Sequence, residues 1–137
     1  MLGPDAVKLI MEATGAVVGR IQMQIAEEME ARQPIANEIL FERARQIAIE
    51  GKNDAVNTDG QLARAAGGYA LFAGGAKNLE KRKERGWPGK IISVPRHWPW
   101  EVKFFKPHSP RRALVIAAAL IIAEIERLDT LEKEKTQ

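Results

Sequence analysis

An apolar run near the C-terminal end constrains the fold of this chain more than any other feature. Ser109 and Pro110 precede the run and form a strong helix start, because a serine hydroxyl caps backbone N–H groups and proline loses no hydrogen bond at the first helical position. From Ala113 to Ile125 the residues are apolar on nearly all sides. We therefore predict a helix from Pro110 to about Lys133 that forms the central element of the core.

Helical spacing of apolar residues predicts three more helices. The first covers Asp5 to Ala31 and ends before Pro34, because proline disrupts a helix interior. The second covers Ile35 to Glu50, and the third begins near Asp59 and ends at a pair of glycines, residues 74 and 75. The expected fold is therefore all-α, with four principal helices in a single domain over residues 1–137.

Residues 77–108 interrupt this helical pattern as a long basic and aromatic insertion. Prolines and glycines within it argue against a long helix. Lys90–Val94 and Trp100–Phe105 are β-prone runs on either side of a proline-rich turn, and they predict a small β-hairpin.

Composition limits the environment and the chemistry of the chain. It contains no cysteine, which excludes disulfides, cysteine-ligated zinc and a thiol nucleophile. The N-terminal residues do not resemble a signal peptide, and the apolar run Ala113–Ala123 is shorter than the roughly 20 residues that a membrane span needs. We expect a soluble, cytoplasmic protein without a membrane partner.

Charge and aromatic rings are concentrated between residues 77 and 112. This segment holds eleven of the 21 Lys and Arg residues, all three tryptophans and both histidines, against only three acidic residues. It therefore carries +8 in a chain of net charge +3. Such a segment suits a phosphate-bearing partner with a flat ring, since cations pair with phosphate and aromatic faces stack on bases. A basic surface loop with buried tryptophans is the alternative.

The start of the last helix is the predicted anion site, because free N–H groups and the positive end of the helix dipole coincide with two arginines. The nine predicted ligand-binding residues are Arg111, Arg112, Lys106, His108, Trp98, Trp100, Phe105, Arg43 and Arg45. In the structural alternative, Arg111 or Arg112 instead pairs with Glu42, Glu50 or Asp59 to hold helices together.

Two blocks of sequence resemble a widespread group of small bacteriophage and prophage proteins. The first has ERxRQ at residues 42–46, EG at 50–51 and DGxLAxAAxxYA at 59–70. The second has WPW at 98–100, FKP at 105–107 and RRxLVxAxALIxAEIERLD at 111–129. That group is distantly similar to MazG-like all-α nucleotide pyrophosphohydrolases, and the resemblance implies a phage origin, with the host cytoplasm as location, more firmly than an activity.

A MazG-like enzyme holds Mg²⁺ with carboxylates from two helices, in a Glu-Glu-x-x-Glu and a Glu-x-x-Asp pattern. Glu126 and Asp129 match the second pattern, but the first is absent. Glu42 and Glu50 lie eight residues apart and are the remaining metal candidates. Metal-dependent hydrolysis of a nucleoside triphosphate, with Mg²⁺ as cofactor, is therefore the alternative function.

The preferred function is binding without catalysis and without a cofactor. We expect a phage-type accessory protein that captures a nucleotide-like small molecule, such as a cyclic nucleotide immune signal. The N-terminal helix within residues 1–33 is the expected contact of a homo-oligomer. Nucleic acid is a weaker candidate partner, because Glu80 and Glu84 interrupt the basic run, and inhibition of a host protein stays open.

Overall fold

The chain is described here by a computed structural model that covers residues 3–49 and 57–136. Its secondary structure is mostly helical, as predicted, with one small antiparallel hairpin. In chain order the elements are α1 Pro4–Ala48, α2 Gln61–Ala73, β1 Leu79–Lys83, β2 Ile91–Pro95, a short 3-10 helix Val102–Phe104 and α3 Pro110–Lys135.

The prediction of four helices does not match the structure, which has three α-helices in the described ranges. The first two predicted helices are one continuous helix, α1, which passes through Pro34. Proline removes one hydrogen bond in a helix interior, at a cost of about 3 kcal/mol. The carbonyl that loses its partner belongs to Glu30, an exposed residue where water can replace the bond. Gln33 also donates to Asn37 across the proline, at 2.7 Å.

The chain divides into two compact units, residues 1–37 and residues 38–137. In the first unit the described residues belong almost entirely to α1, and none of them is buried. The second unit contains the C-terminal part of α1, the hairpin, α2 and α3. The hydrophobic core lies in this second unit.

The core forms where α2 packs against α3. Small residues on both helices permit close approach, among them Ala65 on α2 and Ala113 on α3, which are fully buried. Gly68 lies against β2, and a Cβ added there would come within 2.9 Å of Pro95 Cβ. α3 is therefore a core helix, as the apolar run predicts.

One side of α3 nevertheless remains accessible. Leu114, Ile121 and Ile125 are each about half exposed along this side. The apolar run predicts a helix that is covered on every side. In the structure α3 instead has one accessible apolar stripe.

The hairpin pairs β1 with β2, from Leu79 opposite Pro95 to Lys83 opposite Ile91. The sequence predicts the β2 strand, but the predicted partner strand is wrong, because β2 pairs with β1. The other predicted strand, Trp100–Phe105, contains the 3-10 helix instead. Val102 and Phe105 are both buried, and a tight helical turn places residues at this three-residue spacing on the same side, whereas a strand would alternate them.

Candidate functional site

The start of α3 has the predicted cap. The Ser109 hydroxyl accepts a hydrogen bond from the backbone N–H of Arg112, at 3.3 Å, and Pro110 is the first helical residue. Arg111 and Arg112 follow directly. The sequence therefore predicts this helix start correctly.

Both arginines form ion pairs with carboxylates of α1. Arg111 donates two hydrogen bonds to Glu38, each at 2.8 Å, which is the bidentate geometry of an arginine–carboxylate pair. This pair lowers the pKa of the Glu38 carboxyl and raises the pKa of Arg111. Arg112 donates to Glu42. The alternative prediction, in which an arginine at the start of α3 pairs with a carboxylate of another helix, is thus confirmed for Arg112. Its partner, Glu42, is one of the three that the sequence suggested.

Glu42 is the centre of a buried polar cluster. Its side chain is 1% exposed and accepts hydrogen bonds from Arg45 at 2.8 and 2.9 Å, from Arg112, and from the Gln46 amide at 3.4 Å. Burial by itself would raise the pKa of Glu42, but the hydrogen bonds and charges of the two arginines outweigh it and leave the pKa below its usual range. Glu42 is therefore ionised near neutral pH and holds α1 to α3.

Arg43 lies on the same part of α1 and donates to Glu126 of α3, at 3.1 Å and 3.4 Å. Its side chain is only 8% exposed. All four predicted anion-binding arginines are thus engaged with carboxylates of this chain.

The predicted stacking rings lie in or beside the core. Trp98 and Phe105 are almost fully buried and pack against Tyr69 of α2, with ring centroids 5.6 and 5.4 Å from its ring. Trp100 is half-buried, and its indole N–H donates to Asn57 at 3.0 Å. Tyr69, at the centre of this cluster, was not among the predicted site residues.

A pocket of about 360 Å³ lies in the second unit. It brings together three predicted residues, Arg45, Lys106 and His108, and it does not include the other six. The remaining lining residues are Glu42, Gln46, Ile49, Tyr69, Phe104 and Ile116. We call this the α1–α3 pocket. Phe104 is about half exposed and offers a ring at its edge.

Gln46 lines the α1–α3 pocket and has one polar atom that is enclosed and unsatisfied. The residue is 1% exposed, its amide nitrogen donates to Glu42, and its Oε1 has no hydrogen-bond partner within the described part of the chain. The reverse orientation of the amide would place two oxygens face to face. An unpartnered buried acceptor is costly, so a donor that reaches Gln46 is favoured.

The hairpin carries a second group of accessible cations. Lys81, Lys83 and Lys90 are exposed, and none forms an ion pair with a described residue. Trp87, in the turn between the strands, is 96% exposed. A wider pocket of about 520 Å³ lies next to this turn and includes Arg85.

The metal candidates are placed as follows. Glu42 and Glu126 are paired with arginines, Asp129 is exposed near the end of α3, and Glu50 lies outside the described residues. Over residues 3–49 and 57–136, no group of three or more His, Asp or Glu residues has the arrangement of a metal site.

Comparisons with protein-family models, with curated proteins and with solved structures find no match to this chain. Among the described helices, none is both long and apolar enough to cross a membrane.

Proposed function

We propose that the protein binds a small phosphate-bearing molecule with a flat ring, such as a nucleotide, in the α1–α3 pocket, without converting it. The observation that carries this proposal is the convergence of Lys106, His108 and Arg45 beside the ring of Phe104. A volume of about 360 Å³ lies within the range of small-molecule sites. The proposed activity is capture without conversion, as expected of a phage-type accessory protein that sequesters a nucleotide signal.

Lys106 is the proposed phosphate contact. It is exposed and has no ion pair with a described residue, whereas Arg45 is already hydrogen-bonded to Glu42. His108 lies in the same pocket and adds a second hydrogen-bond donor. A phosphate near Lys106 therefore finds donors that no carboxylate of the described chain already occupies.

Gln46 and Phe104 are the proposed contacts of the ring. Gln46 Oε1 is enclosed and unpartnered, so it accepts an N–H or O–H donor of the ligand, such as a nucleobase amino group, once the Gln46 side chain turns toward the pocket. Phe104 is about half exposed, with Lys103 Nζ 5.1 Å from its ring centroid, and offers a ring for stacking. The pocket thus offers cationic donors for a phosphate, and an acceptor and an aromatic ring for the flat part of the ligand.

The test is a binding panel with the purified full chain. Cyclic and linear nucleotides are added with and without Mg²⁺, binding is measured by calorimetry, and the free pool and the heat-released ligand are analysed by chromatography. Intact recovery of a bound nucleotide supports capture. Mg²⁺-dependent conversion to monophosphate and pyrophosphate would support the hydrolase alternative, and an untouched panel would refute both.

Two lysine variants locate the binding. Lys106→Gln is expected to weaken binding tenfold or more, because a hydrogen bond to a charged group contributes about 1.5–3 kcal/mol. Lys90→Gln removes the same charge from the hairpin, away from the pocket, and should leave the Kd unchanged. Equal losses in the two variants would mean that only overall charge attracts the ligand.

The hairpin favours a second candidate function, binding of single-stranded nucleic acid. An almost fully exposed tryptophan between cationic strands combines a stacking ring with phosphate contacts. Retention on an oligothymidylate column that falls steeply with salt, and that is lost in Trp87→Ala, would support it. Retention unaffected by this variant would count against it.

A further inference from the structure

We propose that residues 7–25 of α1 pair with the same residues of a second copy of this chain, in antiparallel orientation. Val7, Met11, Val18, Ile21 and Ile25 recur at alternating spacings of three and four residues once Thr14 is included, which is the seam of a two-stranded coiled coil. Their exposed fractions lie between 43% and 69%. This seam is about 27 Å long at 1.5 Å per residue.

The first unit has no core of its own to stabilise it. None of the described residues from 3 to 37 is buried. A helix without tertiary packing is marginal in water, and most helical stability in proteins comes from burial of an apolar face. Two glycines, Gly15 and Gly19, lower the intrinsic helical preference of this segment further. A partner along the seam supplies the missing burial.

The polar member of the seam is already satisfied. The Thr14 hydroxyl donates to the backbone carbonyl of Ile10, four residues earlier, at 2.9 Å. Burial of Thr14 against a second helix therefore leaves no unpaired donor. Thr14 is compatible with an interface.

Charge decides the orientation. Glu28 continues the seam, because it lies seven residues after Ile21. A parallel pair would place the Glu28 side chains of the two copies against each other. In an antiparallel pair Glu28 instead lies at the positive N-terminal end of the other helix, which is favourable.

The apolar pattern decides the register. With Met11 opposite Ile21, Val7 lies opposite Ile25 and Thr14 opposite Val18, so every layer is apolar except for the satisfied threonine. A shift by one heptad would place Glu28 opposite Met11. The two-fold axis of the proposed pair therefore passes close to residue 16.

The first test is the mass in solution by light scattering. The wild-type chain should have twice its monomer mass of 15.2 kDa. Ile21→Glu places a charge in the seam and should reduce the mass to that of the monomer. Met23→Glu is the matched control, because Met23 is 65% exposed but lies on the opposite side of the helix. It should remain a dimer.

The second test uses engineered cysteines, which is simple because the chain has none. The double variant Met11→Cys/Ile21→Cys should form a covalent dimer on oxidation, and each single variant should not. In the antiparallel pair a residue at position 21 lies about 15 Å along the axis from its own copy, too far for a disulfide.

Three results would overturn the proposal. A monomeric wild type would do so. This holds also if the monomer binds anionic lipid vesicles through the same face, because the partner would then be a membrane surface. A dimer that survives Ile21→Glu would place the interface elsewhere. Efficient crosslinking of either single-cysteine variant would show a parallel pair.

Discussion

Replacement of Glu42 by glutamine tests whether this residue holds α1 to the rest of the second unit. Glu42 is 1% exposed and is hydrogen-bonded to Arg45, Arg112 and Gln46. The variant removes the negative charge that two guanidinium groups share. Breaking a buried ion pair typically costs 3–5 kcal/mol. Because the Arg45 and Arg112 side chains are 29% and 36% exposed, water compensates in part, and we expect a loss of about 2–3 kcal/mol.

Urea unfolding at one fixed protein concentration, followed by circular dichroism, measures this loss. Glu38→Gln is the matched control, because Glu38 also pairs with an arginine of α3 but does so at the surface. Its effect should be much smaller than that of Glu42→Gln, since solvent screens an exposed pair. Equal losses in the two variants would refute the argument from burial.

The pH dependence provides an independent check of the same argument. The pKa of Glu42 is lowered in the folded chain, so its carboxylate stabilises the fold at pH values above its pKa in the unfolded chain, which is about 4.3. This contribution is lost as the pH falls through the lower folded pKa. The difference between wild type and Glu42→Gln should therefore be constant from pH 7 to pH 5 and shrink below about pH 4. A difference that persists in strong acid would contradict this.

Three further predictions concern packing and capping, and thermal or urea unfolding checks each of them. Gly68→Ala should destabilise the fold by about 1–3 kcal/mol, because the new Cβ would come within 2.9 Å of Pro95 Cβ, while Gly67→Ala, which meets no atom within 4 Å, should stabilise by up to about 1 kcal/mol. Trp98→Ala should cost about 3–5 kcal/mol because Trp98 is 2% exposed, and Trp87→Ala, at 96% exposure, should change stability by less than about 0.5 kcal/mol. Ser109→Ala should cost about 1 kcal/mol through loss of the α3 cap, whereas Ser93→Ala, in an exposed hairpin position, should be nearly neutral.

Helix starts and apolar periodicity were the reliable signals in this sequence. The Ser109–Pro110 start and the buried run on α3 depend on local chemistry, which sequence contains directly. The break predicted at Pro34 is wrong because water can bond the exposed Glu30 carbonyl that loses its partner. The Gln33–Asn37 hydrogen bond also spans the proline. The strand predicted at residues 100–105 failed because burial of Val102 and Phe105 on one side favoured a tight turn over alternation.

The candidate site was harder to predict because its main features depend on contacts distant in sequence. Arg43 and Glu126 lie 83 residues apart, and only the packing of α1 on α3 brings them together. Gln46 was visible within the ERxRQ pattern, four residues after Glu42 and therefore on the same helical face. This spacing could have identified Gln46 as a neighbour of Glu42 from the sequence alone. Tyr69, in contrast, stands out only once Trp98 and Phe105 pack against it.

The two arginines at the start of α3 differ in how readily they can exchange a carboxylate for a ligand phosphate. Arg111 is 67% exposed and its partner Glu38 can move into solvent, whereas Arg112 is bound to the buried Glu42. An anion that bound at this helix start would therefore be expected to engage Arg111 and to leave Arg112 in its structural role. Accordingly, Arg111→Gln should weaken binding of any nucleotide that docks there without lowering the unfolding free energy much, and Arg112→Gln should mainly lower stability. If Arg111→Gln leaves the Kd unchanged while Lys106→Gln raises it, the bound anion lies in the α1–α3 pocket and not at the helix start.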